Sequence, residues 1–202
     1  KRLSAERVRD EWFKGLQTAQ SVLQFAKLWR EAGSASVWIP ELGHNEMQKA
    51  PEPPASVRDP VLLTALLTRA PSSVLRRLKA SNAEIERALA IERGPEQPAD
   101  SSPTSVRRWL SEVGPAAPDL AALWTLRTGQ APAWSPVVEA IRERGDPLTR
   151  ADLAVSGNDL QALGASGPEV GRVLSALLDQ VLEEPSRNQR DQLLHRARML
   201  LR

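Results

Sequence analysis

The 202-residue chain has no cysteine and no tyrosine, and it holds only two phenylalanines and two histidines. Without cysteine there is no disulfide framework and no thiolate metal site, and His44 and His195 stand too far apart in sequence to read as a ligand pair. Metal chemistry would fall to carboxylates. The longest nearly apolar stretch, Val61 to Leu67, contains Thr64 and is roughly a third of the ~20 residues that cross a bilayer. The opening residues, Lys1 to Glu11, are charged and lack the apolar centre of a secretory signal. These absences predict a soluble, cytoplasmic chain with no membrane partner. Because it starts at Lys1 rather than Met, in what reads as a helix start, the sequence is expected to be a piece of something longer. Global charge imbalance is also lacking: 27 Lys and Arg stand against 25 Asp and Glu, so any basic patch must be local.

What is present is helical spacing. Alternation of β-branched residues is missing, and only Val37-Trp38-Ile39 could pass for a strand, so the fold class is all-α, a multi-helix bundle. Ser4 can cap a first helix whose Val8, Trp12 and Leu16 recur every fourth residue. A second helix, from about Gln20 to Ala32, carries Val22, Ala26 and Trp29 in one stripe, and the two pack as a hairpin over residues 1–42. Pro51, Pro53, Pro54 and Pro60 fix φ and remove donors, which makes 43–60 a Pro-rich connector. Residues 61–145 read as a helical body, with Ser81 and Glu84 spaced as a capping box, and 146–202 as a helical tail.

No residue is assigned to catalysis and none to a metal. Neither histidine accompanies a nucleophile elbow, no glycine-rich nucleotide loop occurs, and the adjacent pairs Asp10-Glu11 and Glu183-Glu184 point in different directions on a helix. Three other segments can carry function. Gly164, Gly167-Pro168 and Gly171 form a tight turn into a helix, which reads either as packing or as a cradle of N–H groups for phosphate. The last helix, after Pro185 and a capping box of Ser186 with Gln189, holds Arg187, Arg190, Arg196, Arg198 and Arg202 against Asp191 alone. That face reads either as a solvated surface or, with Arg172, as a set of phosphate contacts. Ser4, Glu6, Arg7, Arg9, Asp10, Glu11 and Lys14 alternate charge at i,i+3 and i,i+4 spacing, which predicts the surface pairs Glu6 with Arg9, Arg7 with Glu11 and Asp10 with Lys14. Trp12, Trp29, Trp109 and Trp124 lie in apolar helical patterns and read as core, leaving Trp38 and Trp134 as the aromatic candidates for a surface role.

These segments together resemble the class II tRNA nucleotidyltransferases, which include CCA-adding enzymes and bacterial poly(A) polymerases. Leu3 to Glu11 with Lys14 resembles the neck-helix motif, the last of that family's five, and Ile39-Pro40-Glu41-Leu42 is similar to the turn that follows it. Leu148 to Leu194, with Asp159-Leu160, Gly164, Gly167-Pro168, Gly171 and Asn188, resembles the family's C-terminal stretch, while Gly43 to Ala133 agrees only in helical character. The resemblance implies neck, body and tail of a larger enzyme. Its catalytic head, with Mg2+ and the carboxylates that hold it, would lie upstream, in the same polypeptide or as a separate subunit, and this chain alone would be inactive and need no cofactor. The implied task is to hold the acceptor stem and T arm of tRNA while CTP and ATP are added to the 3′ end. Ser4, Glu6, Arg7, Glu11 and Lys14 would be structural, and Gly164, Gly167, Gly171, Arg172, Arg187, Arg190, Arg196 and Arg198 would meet RNA phosphates. Poly(A) polymerase, a CC- or A-adding relative, and a free-standing helical module that binds nucleic acid or protein are the alternatives.

Overall fold

The computed structural model describes residues 4–42 and 50–201, so His44, Arg202 and Leu3, the first residue of the neck-like segment, lie outside it. Among the described residues there is no strand; the nearest thing is one isolated antiparallel bridge between Leu42 and Thr68. The chain folds as two units, the first drawn from Lys1–Gln97 and Pro115–Pro132, the second from Pro98–Gly114 and Ala133–Arg202.

The first unit holds α1 (Ala5–Thr18), α2 (Val22–Glu31), α3 (Ser34–Trp38), α4 (Pro60–Leu67), α5 (Pro71–Arg77), α6 (Asn82–Arg93) and α8 (Ala117–Thr128). Its centre is α4, where every residue from Val61 to Leu67 is buried. Asp59 caps this helix by accepting from the Leu62 N–H at 2.9 Å. Pro60, which the proline count places in the connector, is instead its first residue, where a missing N–H costs nothing. Thr64 is the polar exception in the apolar run and is fully satisfied: its hydroxyl accepts from Trp12 Nε1 at 3.0 Å and donates to the Pro60 carbonyl at 2.6 Å.

In α1, Ser4 accepts from the Arg7 N–H at 3.4 Å, and Val8, Trp12 and Leu16 form the buried face. Trp12 packs against Phe25 and Trp29 of α2 with ring centroids 5.4 and 5.0 Å apart. The two helices approach so closely at Gly15 that a Cβ there would lie 2.0 Å from the Phe25 ring. Gly33, at φ +74°, then turns the chain into α3, so Val37 and Trp38 are helical rather than extended. The strand-like β-branched pattern loses to a glycine that permits a second helical start. The connector is anchored: the Glu52 carboxylate accepts from the Ser21 hydroxyl at 2.8 Å and from the Val22 N–H at 2.5 Å, answering the positive end of α2. Ion pairs tie helices within the unit. Arg77 grips Glu41 through two bonds of 2.7 and 2.5 Å, and Arg87 bridges Asp59 at 2.7 Å and Asp119 at 2.7 Å.

The second unit holds α7 (Pro103–Val113), α9 (Ser135–Arg144), α10 (Gly157–Ala162), α11 (Pro168–Glu183) and α12 (Arg190–Leu200). Leu160, Val173, Leu177, Val181, Leu193 and Ala197 make its core beneath α10, α11 and α12. Asn188 joins the linker before α12 to the turn before α10, donating to the Asp152 carbonyl at 2.8 Å and accepting from the Ala154 N–H at 2.8 Å. Ser186 and Gln189 do not form the capping box that their spacing predicts. Pro185–Arg187 is a 3-10 turn in which the Ser186 hydroxyl donates to Glu184, and Gln189 precedes α12 without a side-chain cap.

Trp134 is buried, at 5% exposure, with its ring centroid 4.6 Å from that of Trp109, so it is core and not a surface aromatic. Its Pro-flanked setting signals the start of α9 rather than a loose loop. Trp38 is half-buried and its carbonyl accepts from Arg77 at 3.1 Å; Trp29 and Trp124 are half-buried as well.

Candidate nucleic-acid interface

The charge alternation along α1 does not pair as spacing suggests. Glu6 accepts from Lys79 at 2.8 Å, and that contact is what lowers its pKa; Arg9 bonds its neighbour Asp10 at 2.7 Å and the Lys79 carbonyl at 2.9 Å. Both reach the α5–α6 turn, where Lys79 sits at positive φ, because a tertiary carbonyl and ammonium lie closer than the residues a turn away. Arg7, Glu11 and Lys14 are exposed and make no ion pair with another described residue, and Ser4 serves as the helix cap.

In the second unit, part of the glycine turn is bonded internally. Gly164, at φ +98°, closes α10 with its N–H on the Gln161 carbonyl at 2.9 Å, and the Glu169 N–H is taken by the Ser166 carbonyl at 3.1 Å. Pro168 supplies no donor, and the Glu169 carboxylate already occupies the first turn of α11, where it answers the helix dipole. Gly167, at φ +48°, makes the turn; Gly171 lies a turn further in, past the last orphan N–H of the helix, and leaves room for an Arg150 guanidinium nitrogen at 4.0 Å from its missing Cβ.

The arginines separate into two groups. Arg172 bonds Glu169 at 3.3 Å and caps α12 through the Leu200 carbonyl at 3.1 Å, Arg187 holds Glu184 at 2.6 Å, and Arg190 holds Asp159 at 2.5 Å. The Arg190 guanidinium, helped by the N–H and hydroxyl of Ser156, keeps the Asp159 carboxyl far below the usual range, and Arg190 is raised in return. Arg196 and Arg198 are exposed and make no ion pair with another described residue. Two positions apart, they point about 200° from one another round α12 and cannot serve one phosphate together. Sequence spacing cannot reveal this split, since every one of these arginines reads alike in one dimension.

Arg196 and Arg187 do share a site. They line a groove of about 440 Å³ with Arg108 of α7 and with Asp179, Gln180 and Glu183 of α11. Arg108 donates to Glu183 at 2.9 Å. Sequence reasoning passes over Arg108, which sits beside the core residue Trp109, and over Gln180. The neighbouring Arg107 is missed too and is buried at 5% exposure: it donates to the Leu182 carbonyl at 2.6 Å, the Glu183 carbonyl at 3.0 Å and Asp146 at 3.3 Å, and so ends α11 beside the groove. Asp146 is held below the ordinary carboxylate range by Arg144, with Arg107 adding to the effect against burial. A carboxyl depressed in the folded state stabilises above its unfolded pKa and loses that contribution as pH falls through the folded value. The unfolding midpoint should therefore be flat from about pH 8 to 5 and fall below about pH 4. Asp146→Asn should lower the midpoint at neutral pH and flatten the acid limb; thermal melts at stepped pH check both.

Among the described residues no three His, Asp or Glu side chains converge to hold a metal ion, and no helix is long and apolar enough to cross a membrane. The family model described as tRNA nucleotidyltransferase domain 2 matches residues 61–197, a span that includes the whole groove. No curated protein and no solved structure matches the chain.

Proposed function

The chain belongs to the tRNA nucleotidyltransferase family, and from that premise we propose that it is the tRNA-holding part of a CCA-adding enzyme, gripping the acceptor stem and T arm while a catalytic head works on the 3′ end. The observation that carries the reading is the placement of the arginine groove inside the matched span. Duplex RNA is held through phosphates and 2′-hydroxyls rather than by aromatic stacking, and cationic side chains beside helix ends suit that task. Arg196 and Arg198 meet phosphates first because they break no internal pair. Arg187, Arg172 and Arg190 contribute the guanidinium donors left after their contacts with Glu184, Glu169 and Asp159. On the first unit, the exposed Arg7, Glu11 and Lys14 face the head, in the same polypeptide or in a separate subunit. Mg2+ chemistry belongs to that head, and the chain alone is inactive and works in the cytoplasm.

The test is a titration of the full chain against tRNA lacking its CCA end, beside an anticodon-stem hairpin of matched length, at several salt concentrations. With four of these five arginines each neutralising one phosphate, the slope of log affinity against log salt is on the order of −3 to −4, and Arg196→Ala with Arg198→Ala should make it shallower by about 1 to 2. Selective binding with that change supports the reading. Equal or absent binding to both RNAs overturns it in favour of a helical interaction module, and an unchanged slope removes the two arginines from the site.

A further inference from the structure

Two consecutive arginines of α7 meet the end of α11, and they do so differently. Arg107 is buried and donates to the Leu182 and Glu183 carbonyls at 2.6 and 3.0 Å. Arg108 is exposed and donates through one nitrogen, Nη2, to the Glu183 carboxylate at 2.9 Å, while its Nε and Nη1 have no partner among the described residues. The inner arginine thus fixes the backbone from which the Glu183 side chain projects, and its peptide bond to Arg108 holds the outer arginine at the same turn. The outer pair is set in place by the fold yet open to water. Its two side chains are 46% and 64% exposed, and an ion pair in that setting contributes little to stability.

Arg108 and Glu183 both line the groove of about 440 Å³, together with Arg187 and Arg196. The three cations come from α7, from the 3-10 turn Pro185–Arg187 and from α12, so they converge only in the folded chain. Glu184, which holds Arg187, does not line the groove, whereas Glu183, which holds Arg108, does. An anion that enters therefore meets a carboxylate already bound to the cation it would take, and Asp179, one turn earlier on the same face of α11, adds to the repulsion. A lone phosphate has to break one pair to form another. A strand whose neighbouring phosphate is bound at Arg196 delivers the next at high effective concentration, and a phosphate can bond two guanidinium nitrogens at once where Glu183 bonds one. Resting on the tRNA-holding reading above, we propose that Arg108 is a further phosphate-binding residue of the RNA strand and that Glu183 is its resident competitor, holding the guanidinium in position until a strand phosphate displaces the carboxylate.

The experiment titrates the full chain and its variants with tRNA lacking its CCA end, at several salt concentrations, and records their thermal melts. Arg108→Ala should weaken binding about two- to fivefold and make the salt slope shallower by about 0.7 to 0.9, the signature of one lost phosphate contact. Glu183→Gln keeps an oxygen to which Arg108 can donate but removes the charge that competes with the phosphate, so it should tighten binding about two- to fivefold at an unchanged slope. Glu112→Gln removes an exposed acid of the same helix from outside the groove, and should leave affinity and slope as in wild type. A purely structural pair behaves differently, since Arg108→Ala and Glu183→Gln would then both lower the melting temperature and neither would change RNA binding. Wild-type affinity and slope in Arg108→Ala, or binding in Glu183→Gln no tighter than in Glu112→Gln, overturns the assignment and leaves the tRNA reading standing. Failure of the wild-type chain to bind the tRNA overturns both.

Discussion

Arg107→Ala should destabilise the second unit by about 3–5 kcal/mol, read as a shift of the urea midpoint followed by circular dichroism. The guanidinium is nearly sealed from solvent, and so is the carboxylate of its partner Asp146, each with 6% of its side chain exposed. Removing the cation leaves that carboxylate with only the half-exposed Arg144, and it leaves the Leu182 and Glu183 carbonyls at the end of α11 without their donor. An orphaned buried acceptor costs about 1–3 kcal/mol each, so the total is set by desolvation rather than by the strength of the pair. Lysine would not restore the site, since one ammonium cannot reach two carbonyls, a carboxylate and Thr104 from a single planar fork. Paired replacement, Arg107→Met with Asp146→Leu, should recover part of the loss because it removes the charge on both sides, although the carbonyls stay unpaired. A midpoint for Arg107→Ala within error of wild type would show that water satisfies this end of α11.

Trp12→Ala should cost the first unit a comparable ~3–5 kcal/mol. The indole is fully buried and sits where α1, α2 and α4 meet, with Phe25 and Trp29 on one side and Thr64 on the other. Its deletion opens a cavity among rings that cannot collapse into it without unstacking. Trp12→Phe should lose less, about 1–2 kcal/mol, since a ring remains and only the hydrogen bond and the difference in area are removed. Thr64→Val is the informative companion: it keeps the volume but strips Trp12 Nε1 of its acceptor, and it should cost about 1–3 kcal/mol where an exposed Thr→Val would cost almost nothing.

The helices themselves were open to inspection in the sequence because their signals are local. Ser4 and the reciprocal Ser81–Glu84 pair cap where a serine before an apolar period must cap, and Val8, Trp12 and Leu16 share a face by arithmetic alone. Legibility ended where a competing contact came from far along the chain. Glu6 and Arg9 do not pair with each other but each reaches Lys79, some seventy residues on, and Trp134 looks exposed between prolines until Trp109 covers it. The same holds for the interface. Arginine-rich composition singles out the last helix, but the division of those arginines between internal ion pairs and an open groove depends on Glu184, Asp159 and Glu169 arriving from other turns. Arg107 and Gln180 carry no local signature at all; only burial singles them out.

The contact between Gly15 and Phe25 has a consequence for how this protein can change over time. Because a methyl group at position 15 would overlap the Phe25 ring, the two sites are energetically coupled, and substitutions at one are permitted or forbidden by the residue at the other. Alanine at 15 becomes acceptable only where 25 has become smaller, and a smaller residue at 25 opens a gap beside Trp12 that alanine at 15 would then fill. Related sequences should accordingly exchange these two positions as a pair, with single-site intermediates rare, and the hairpin of α1 and α2 would leave that covariation as its historical record.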